Sequence, residues 1–255
     1  MKRNQWMNVR AWTVGLVMVI GLFAVSAAMA QEAAAGAPAE SKSLWDMIAA
    51  GGWAMWPLGL LSFAMVTMAT VNYQKISLKK IMPPELLGQI KAAADQQDAQ
   101  KVYDLAASNS SLFTNALASG MRKFRPDDPE GSKRNVEDAI AEAVSREESQ
   151  LGFWINFLSL ISAVSPMTGL LGTVSGMIGA FQKIGAGGMG KPELLAGDIG
   201  QALITTATGL IIAIPAMFFY FMFRNSLNRI IQKAEGEYAD ILDGLTGTGM
   251  HGSEG

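Results

Sequence analysis

Three long stretches without a single Asp, Glu, Lys, Arg or His limit what this chain can fold into. They lie between Asp46 and Lys75, between Glu148 and Lys183, and between Asp198 and Arg224. A soluble domain can be half hydrophobic, as this chain is at 50%, but it rarely gathers its apolar residues into uncharged runs of this length. Each run exceeds the ~20 residues that cross a ~30 Å hydrocarbon layer as a helix. The second exceeds it by enough that its helix must tilt or protrude. Pro57, Pro166 and Pro215 fall within the runs, where neighbouring helices re-satisfy the freed carbonyls and proline often marks a kink. No strand-like alternation is seen, so the expected fold class is an all-α integral membrane protein with three transmembrane helices.

The flanking segments give the organisation. Residues 1–30 read as a cleavable signal peptide: Lys2, Arg3 and Arg10, then apolar Ala11 to Val25, then Ala28-Met29-Ala30 before Gln31. An uncleaved anchor is the rival reading. Residues 31–43 form an Ala-, Gly-, Pro- and Glu-rich periplasmic linker, and 44–73 an interfacial helix with Trp45, Trp53 and Trp56 leading into the first span. Residues 74–150 have helical periodicity (Leu86, Leu87, Ile90; then Val102, Leu105, Ala106) and read as a cytoplasmic helical domain. The stretch Phe124 to Pro129 breaks it, and Ser132 or Asn135 restarts a helix that runs straight into the second span, 151–182. A periplasmic loop (183–198), the third span (199–223) and a cytoplasmic tail (224–255) complete the chain. Lys and Arg set the orientation, because eleven of the 20 lie between Lys75 and Arg146, against Lys183 and Lys191 alone in the second loop. Positive charge stays on the cytoplasmic side, so the mature N-terminus is expected outside and the tail inside.

Composition excludes several functions. With no Cys and one His, His251 in a Gly-rich tail, disulfides, thiolate catalysis and the usual zinc sites are out. A net charge of -2 argues against nucleic acid as a partner. Gly185-Ala-Gly-Gly-Met-Gly190 lacks the Lys-Ser/Thr of a phosphate loop, and no nucleophile–base pair is found, so no enzyme and no cofactor are expected.

The second and third spans are uncharged but not plain. Gly169, Gly172/Thr173, Gly176 and Ala180 recur at three- and four-residue steps, the pattern of a close-packing seam. Gln201, Thr205 and Thr208 form one stripe, with Ala202, Thr206, Gly209 and Ala213 beside it. Taken singly, such hydroxyls bond to carbonyls of their own helix. Gathered on two adjacent spans, they suit a weakly polar seam facing a pore or another helix. The spans hold no titratable group, so if protons or ions are moved, the carboxylate must come from a partner helix.

Ser165-Pro-Met-Thr-Gly-Leu-Leu-Gly-Thr-Val-Ser-Gly-Met-Ile-Gly-Ala-Phe181 resembles the second transmembrane segment of the MotA/TolQ/ExbB family. Ile199-Gly-Gln-Ala-Leu-Ile-Thr-Thr-Ala-Thr-Gly-Leu-Ile-Ile-Ala-Ile-Pro-Ala216 resembles its third. The likeness takes in Gly51-Gly-Trp-Ala-Met-Trp-Pro57 and the large insert, and the ExbB branch fits best. It implies the pore-forming subunit of a proton-driven motor in the bacterial inner membrane. Such a subunit is a homopentamer in the lipid bilayer around the helices of an ExbD- or TolR-like single-span partner, whose membrane Asp carries the proton, and it energises a TonB-like protein. Carried over by residue, Thr173 and Thr206 match the family's pore threonines, with Gln201 and Thr205 beside them on the ion path. Pro166 and Pro215 match prolines that shape the helices, and Gly169, Gly172 and Gly176 serve packing. Several ExbB and TolQ proteins have Glu where this chain has Gln201, which does not titrate. A TolQ-like envelope-maintenance subunit, a motility stator and a non-conducting scaffold are the alternatives.

Overall fold

The computed structural model describes residues 52–185 and 192–247, with side chains from 196 onward in the second stretch. The expected signal peptide, linker, residues 44–51, most of the Gly-rich loop and His251 lie outside the described residues. The order is α1 (Met55–Lys75), α2 (Leu78–Ile81), α3 (Pro84–Asp95), α4 (Ala99–Ala107), α5 (Leu112–Met121), α6 (Pro129–Lys183) and α7 (Pro192–Thr246). Every described element is helical, and α1, α6 and α7 are long and apolar enough to cross a membrane. Both α6 and α7 have 55 residues and pass through Pro166 and Pro215 without interruption.

The described residues divide into two units, one with 52–66 and most of 159–218, the other with 67–158 and 219–247. In the first, the contacts that position the helices are made by small residues. A Cβ on Gly169 would lie 2.8 Å from the Thr205 carbonyl oxygen, and one on Gly209 would lie 2.6 Å from that of Ser165. One on Gly176 would meet Ala202 Cβ and the Asp198 carbonyl, both at 2.9 Å. Glycine here lets two antiparallel backbones touch, since side chains of any size hold helix axes farther apart.

The second unit is built by ordinary globular chemistry. Asp98 caps α4 by accepting from the Lys101 N–H at 3.0 Å, and Ser111 and Thr114 form a reciprocal capping box at the start of α5. Against the expected restart at Ser132 or Asn135, α6 begins at Pro129. The Asp128 carboxylate accepts from the Gly131 N–H at 2.9 Å, and proline is favoured at a first helical position because its missing donor is not needed there. Ser132 lies inside the first turns and ties the preceding loop down, accepting from the Arg125 N–H at 3.2 Å. Nor is 224–246 a plain tail: it continues α7 and buries Leu227, Ala234, Tyr238, Ile241 and Leu242. Together with Ile90, Val102, Phe113, Leu117 and Val136 these form the core. Phe113 and Tyr238 stack with centroids 4.7 Å apart and planes 6° from parallel, and the Tyr238 hydroxyl donates to the Phe113 carbonyl at 3.0 Å.

Polar side chains tie the long helices of this unit together. Asn72 is 1% exposed and donates to the Met68 carbonyl at 2.8 Å and the Trp154 carbonyl at 3.1 Å, joining α1 to α6. Lys75 stands 4.2 Å above the Trp154 ring. Lys91 bridges Glu237 at 2.6 Å and Asp240 at 2.9 Å, and Lys133 meets Asp243 at 2.6 Å. The carboxylate partners raise both lysines above their ordinary 10.5. Burial pushes the Tyr238 phenol up as well.

Two outcomes follow for this unit. Tyr238→Phe keeps the stacked ring but removes the hydroxyl's bond to the Phe113 carbonyl, which keeps its helical partner, so chemical denaturation should show a loss of about 1 kcal/mol. A lysine raised in the folded state stabilises most below its unfolded value of 10.5 and loses that contribution as pH climbs through the folded value. Both lysines are partly exposed, so each pair is worth only about 0.2–1 kcal/mol. Lys91→Met should therefore flatten the fall in thermal stability above about pH 10.5, with little effect of pH between 6 and 9.

Candidate functional site

The uncharged parts of α6 and α7 hold nearly all the polar chemistry of the first unit, and their packing sorts it into three positions. The seam itself is Gly169, Gly172 and Gly176 on α6 against Ala202, Thr205 and Gly209 on α7. Thr205 is 1% exposed and sits over Gly172, where a Cβ would meet its Cβ at 2.7 Å. Its hydroxyl donates to the Ala202 carbonyl at 2.8 Å and approaches the Gly169 carbonyl at 3.4 Å. Thr205 is therefore a seam residue.

On one side of the seam lies the start of α1. The Trp53 indole N–H donates to the Ser175 hydroxyl at 3.1 Å, and the Gln201 amide packs against Gly52. At 3.6 residues per turn, Ser175 is turned roughly 90° and Gln201 roughly 70° from the seam, both toward α1. Thr208, seven residues after Gln201, is on this side too, and its hydroxyl donates to the Ile204 carbonyl at 2.8 Å.

The opposite flank carries Thr173 and Thr206. Each is turned roughly 70° from the seam, away from α1, and because the two helices are antiparallel these turns bring both to the same flank. The contact between Ser162 Oγ and Met217 Sδ at 3.6 Å lies on this flank and spans the same two helices. Thr206 donates across the seam to the Gly169 carbonyl at 3.2 Å, and Thr173 donates to the Leu170 carbonyl of its own helix at 2.6 Å. Each hydroxyl oxygen keeps lone pairs for another donor. Around them Leu170, Met177, Leu210 and Met217 are exposed, 40% or more each. The flank is an apolar strip with two hydroxyls and no charge. Pro166 borders it on α6, whereas Pro215 points to neither the seam nor this flank.

Charge returns at the end of α6 and near the start of α7. Lys183 pairs with Asp198 at 2.7 Å, and the other Asp198 oxygen, Oδ2, is buried without a hydrogen-bond partner. Sequence reasoning found the hydroxyls and glycines but not this pair, nor the reach of Gly52 and Trp53 to α7 and α6. The one available signal was the Gly51-Gly52 step before a tryptophan.

The model of the MotA/TolQ/ExbB proton channel family matches residues 108–236, a span that takes in α5, α6 and most of α7. The chain belongs to that family. It is 41% identical over 108 residues to the biopolymer transport protein ExbB of Xanthomonas campestris, covering 42% of this chain and 43% of that protein. The Tol-Pal system protein TolQ of Haemophilus influenzae is 34% identical over 128 residues, 50% of this chain and 54% of that protein. A putative biopolymer transport protein, ExbB-like 1, of Synechocystis is 30% identical over 184 residues, 71% of this chain and 70% of that protein. The chain thus spans about half the length of the first two relatives and more of the third. The family is one of proton channels and not an enzyme family, and relatives of both the ExbB and TolQ type are similar to this chain.

The seam makes a direct prediction. Gly169→Leu should overpack the α6–α7 contact and lower stability by about 1–3 kcal/mol, while Gly59→Ala, where a Cβ meets nothing within 4 Å, should be neutral in the same thermal-shift assay in detergent.

Proposed function

We propose that this chain is the pore-forming subunit of a proton-driven motor of the ExbB–ExbD type in the bacterial inner membrane, and that the flank carrying Thr173 and Thr206 is its pore face. One observation supports this above others: two hydroxyls from two spans share an uncharged apolar strip on the side that α1 leaves open. Such a strip suits a single apolar helix carrying one ionisable group. In hydrocarbon that group is neutral at rest, since a bare charge there costs about 2.5 kcal/mol or more. When it is protonated, its O–H can donate to the hydroxyl oxygens; when it ionises it only accepts, and a hydroxyl then turns its hydrogen from the backbone carbonyl to the carboxylate without adding a competing charge.

The division of labour follows. The partner, an ExbD- or TolR-like single-span protein, brings the membrane Asp. This chain brings the two threonines and, as a homopentamer in the lipid bilayer, surrounds the partner's helices. Thr206 is fixed by its bond to the Gly169 carbonyl, so its oxygen is presented with little freedom. The energy of proton passage goes to a TonB-like protein and transport across the outer membrane. We place the mature N-terminus in the periplasm and the C-terminus in the cytoplasm, following the Lys and Arg of 75–146. TolQ-like service to the envelope is the second reading, favoured by the similarity to TolQ.

Proton flux in liposomes tests the proposal. Wild-type chain and partner together should conduct, and the chain alone should not. Thr206→Ala and Thr173→Val should each lower flux at least tenfold with the assembly intact by size-exclusion chromatography. Full flux in both variants would remove the threonines from the path, and a stable complex without flux under any driving force would leave a scaffold.

A further inference from the structure

Gln201 is the one strongly polar side chain within the third uncharged run, and its place is unlike that of Thr173 or Thr206. It meets the turn that begins α1. Gly52 stands there at φ +67, a left-handed conformation that glycine adopts without penalty. Its carbonyl accepts from the Met55 N–H at 3.2 Å, closing the turn. A Cβ at residue 52 would overlap Gln201 Nε2 and stand 3.0 Å from Cδ and 3.8 Å from Oε1. The amide thus fills the volume that the missing side chain leaves. The next residue, Trp53, reaches the other long helix through Ser175. Consecutive residues therefore dock on α7 and α6, on the side of the seam away from the two pore threonines.

We infer that Gln201 is a positioning residue: it seats the Gly52–Trp53 turn and so fixes the start of α1, and it does not line the ion path. The naming of that path rests on the function proposed above; the seat itself rests on geometry alone. Two consequences separate this role from one in conduction. The size of residue 201 matters more than its polarity, and residues 52 and 201 are coupled by volume.

The chain has no Cys, so a Trp53→Cys/Ser175→Cys pair in the full-length protein, in membranes with its single-span partner, reports the seat by cross-linking with a short bifunctional thiol reagent, whose length replaces that of the indole. The pair should cross-link readily. Adding Gly52→Asn, a residue that tolerates positive φ, should lower the yield at least threefold by colliding with Gln201. Adding Gln201→Ala as well should restore at least half of it, the amide having moved from one side of the contact to the other. With Trp53 and Ser175 native, Gln201→Met should keep partner-dependent proton flux within twofold of wild type and leave its pH profile unmoved. The inference is overturned if the parent pair fails to cross-link, if Gly52→Asn leaves the yield unchanged, or if Gln201→Ala fails to restore it. It is overturned equally if Gln201→Met abolishes flux or shifts its pH profile while the same substitution keeps the cross-link. Absence of flux in the wild-type complex would sink the proposed function instead, and the cross-linking series would still decide whether Gln201 seats α1.

Discussion

The close approach of α6 to α7 is the contact on which the rest of the first unit depends. Lipid tails are as apolar as leucine, so two such helices gain little by hiding side chains from their surroundings and must gain instead by touching along their length. Gly169, Gly172, Gly176 and Gly209 allow that by leaving nothing between the backbones. Once the seam is fixed, the helical repeat assigns every other residue to a side. Thr205 is enclosed, Gln201 and Ser175 turn to α1, and Thr173 and Thr206 turn to the open flank.

The polar groups within this unit follow the rule that a buried donor must be satisfied. Ser165, Thr168, Thr173 and Thr208 each donate to a carbonyl of their own helix, and Thr206 to the carbonyl that faces it on α6. The hydrogens of these five hydroxyls are thereby used within the protein, while their oxygens remain available as acceptors. On the proposed function, uncharged acceptors suit a path that a protonated partner group crosses, since they can take the hydrogen bond of its O–H and add no charge of their own. The same two helices change character in the second unit. There they are held by Lys–carboxylate pairs, a stacked Tyr238 and a conventional core, chemistry that works in water.

Much of this was legible from residue order. Three uncharged runs predict three long apolar helices, and the absence of charged residues between Glu148 and Lys183 suits a helix that continues from the preceding domain. The glycine steps mark the stripe on α6 that meets α7. What periodicity does not disclose is which neighbour each stripe faces. Gln201, Thr205 and Thr208 lie on one stripe by spacing, yet the seam encloses Thr205 and turns the other two toward α1, because contact with α6 is centred between the two α7 stripes. The start of α6 differs from the expected restart for a local reason. Pro129 closes a helix-breaking stretch by composition, yet after a capping Asp128 it is a favoured first residue. The continuation of α7 beyond Arg224 was hidden by its charges, which are spaced to leave Leu227, Ile231, Ala234, Tyr238 and Leu242 on a buried face.

The central claim is that the flank of Thr173 and Thr206 faces the partner helix, and cysteine scanning of α6 in the assembled complex tests it most directly. Single Cys replacements at Leu170, Thr173, Met177, Ser175 and Ile178 would be cross-linked to a Cys placed beside the partner's membrane Asp. Adducts at 170, 173 and 177, with none at 175 or 178, are the expected result. Adducts concentrated at Ser175, on the α1 side, or none at any of the five positions in a complex that remains assembled, would contradict the assignment of the pore face.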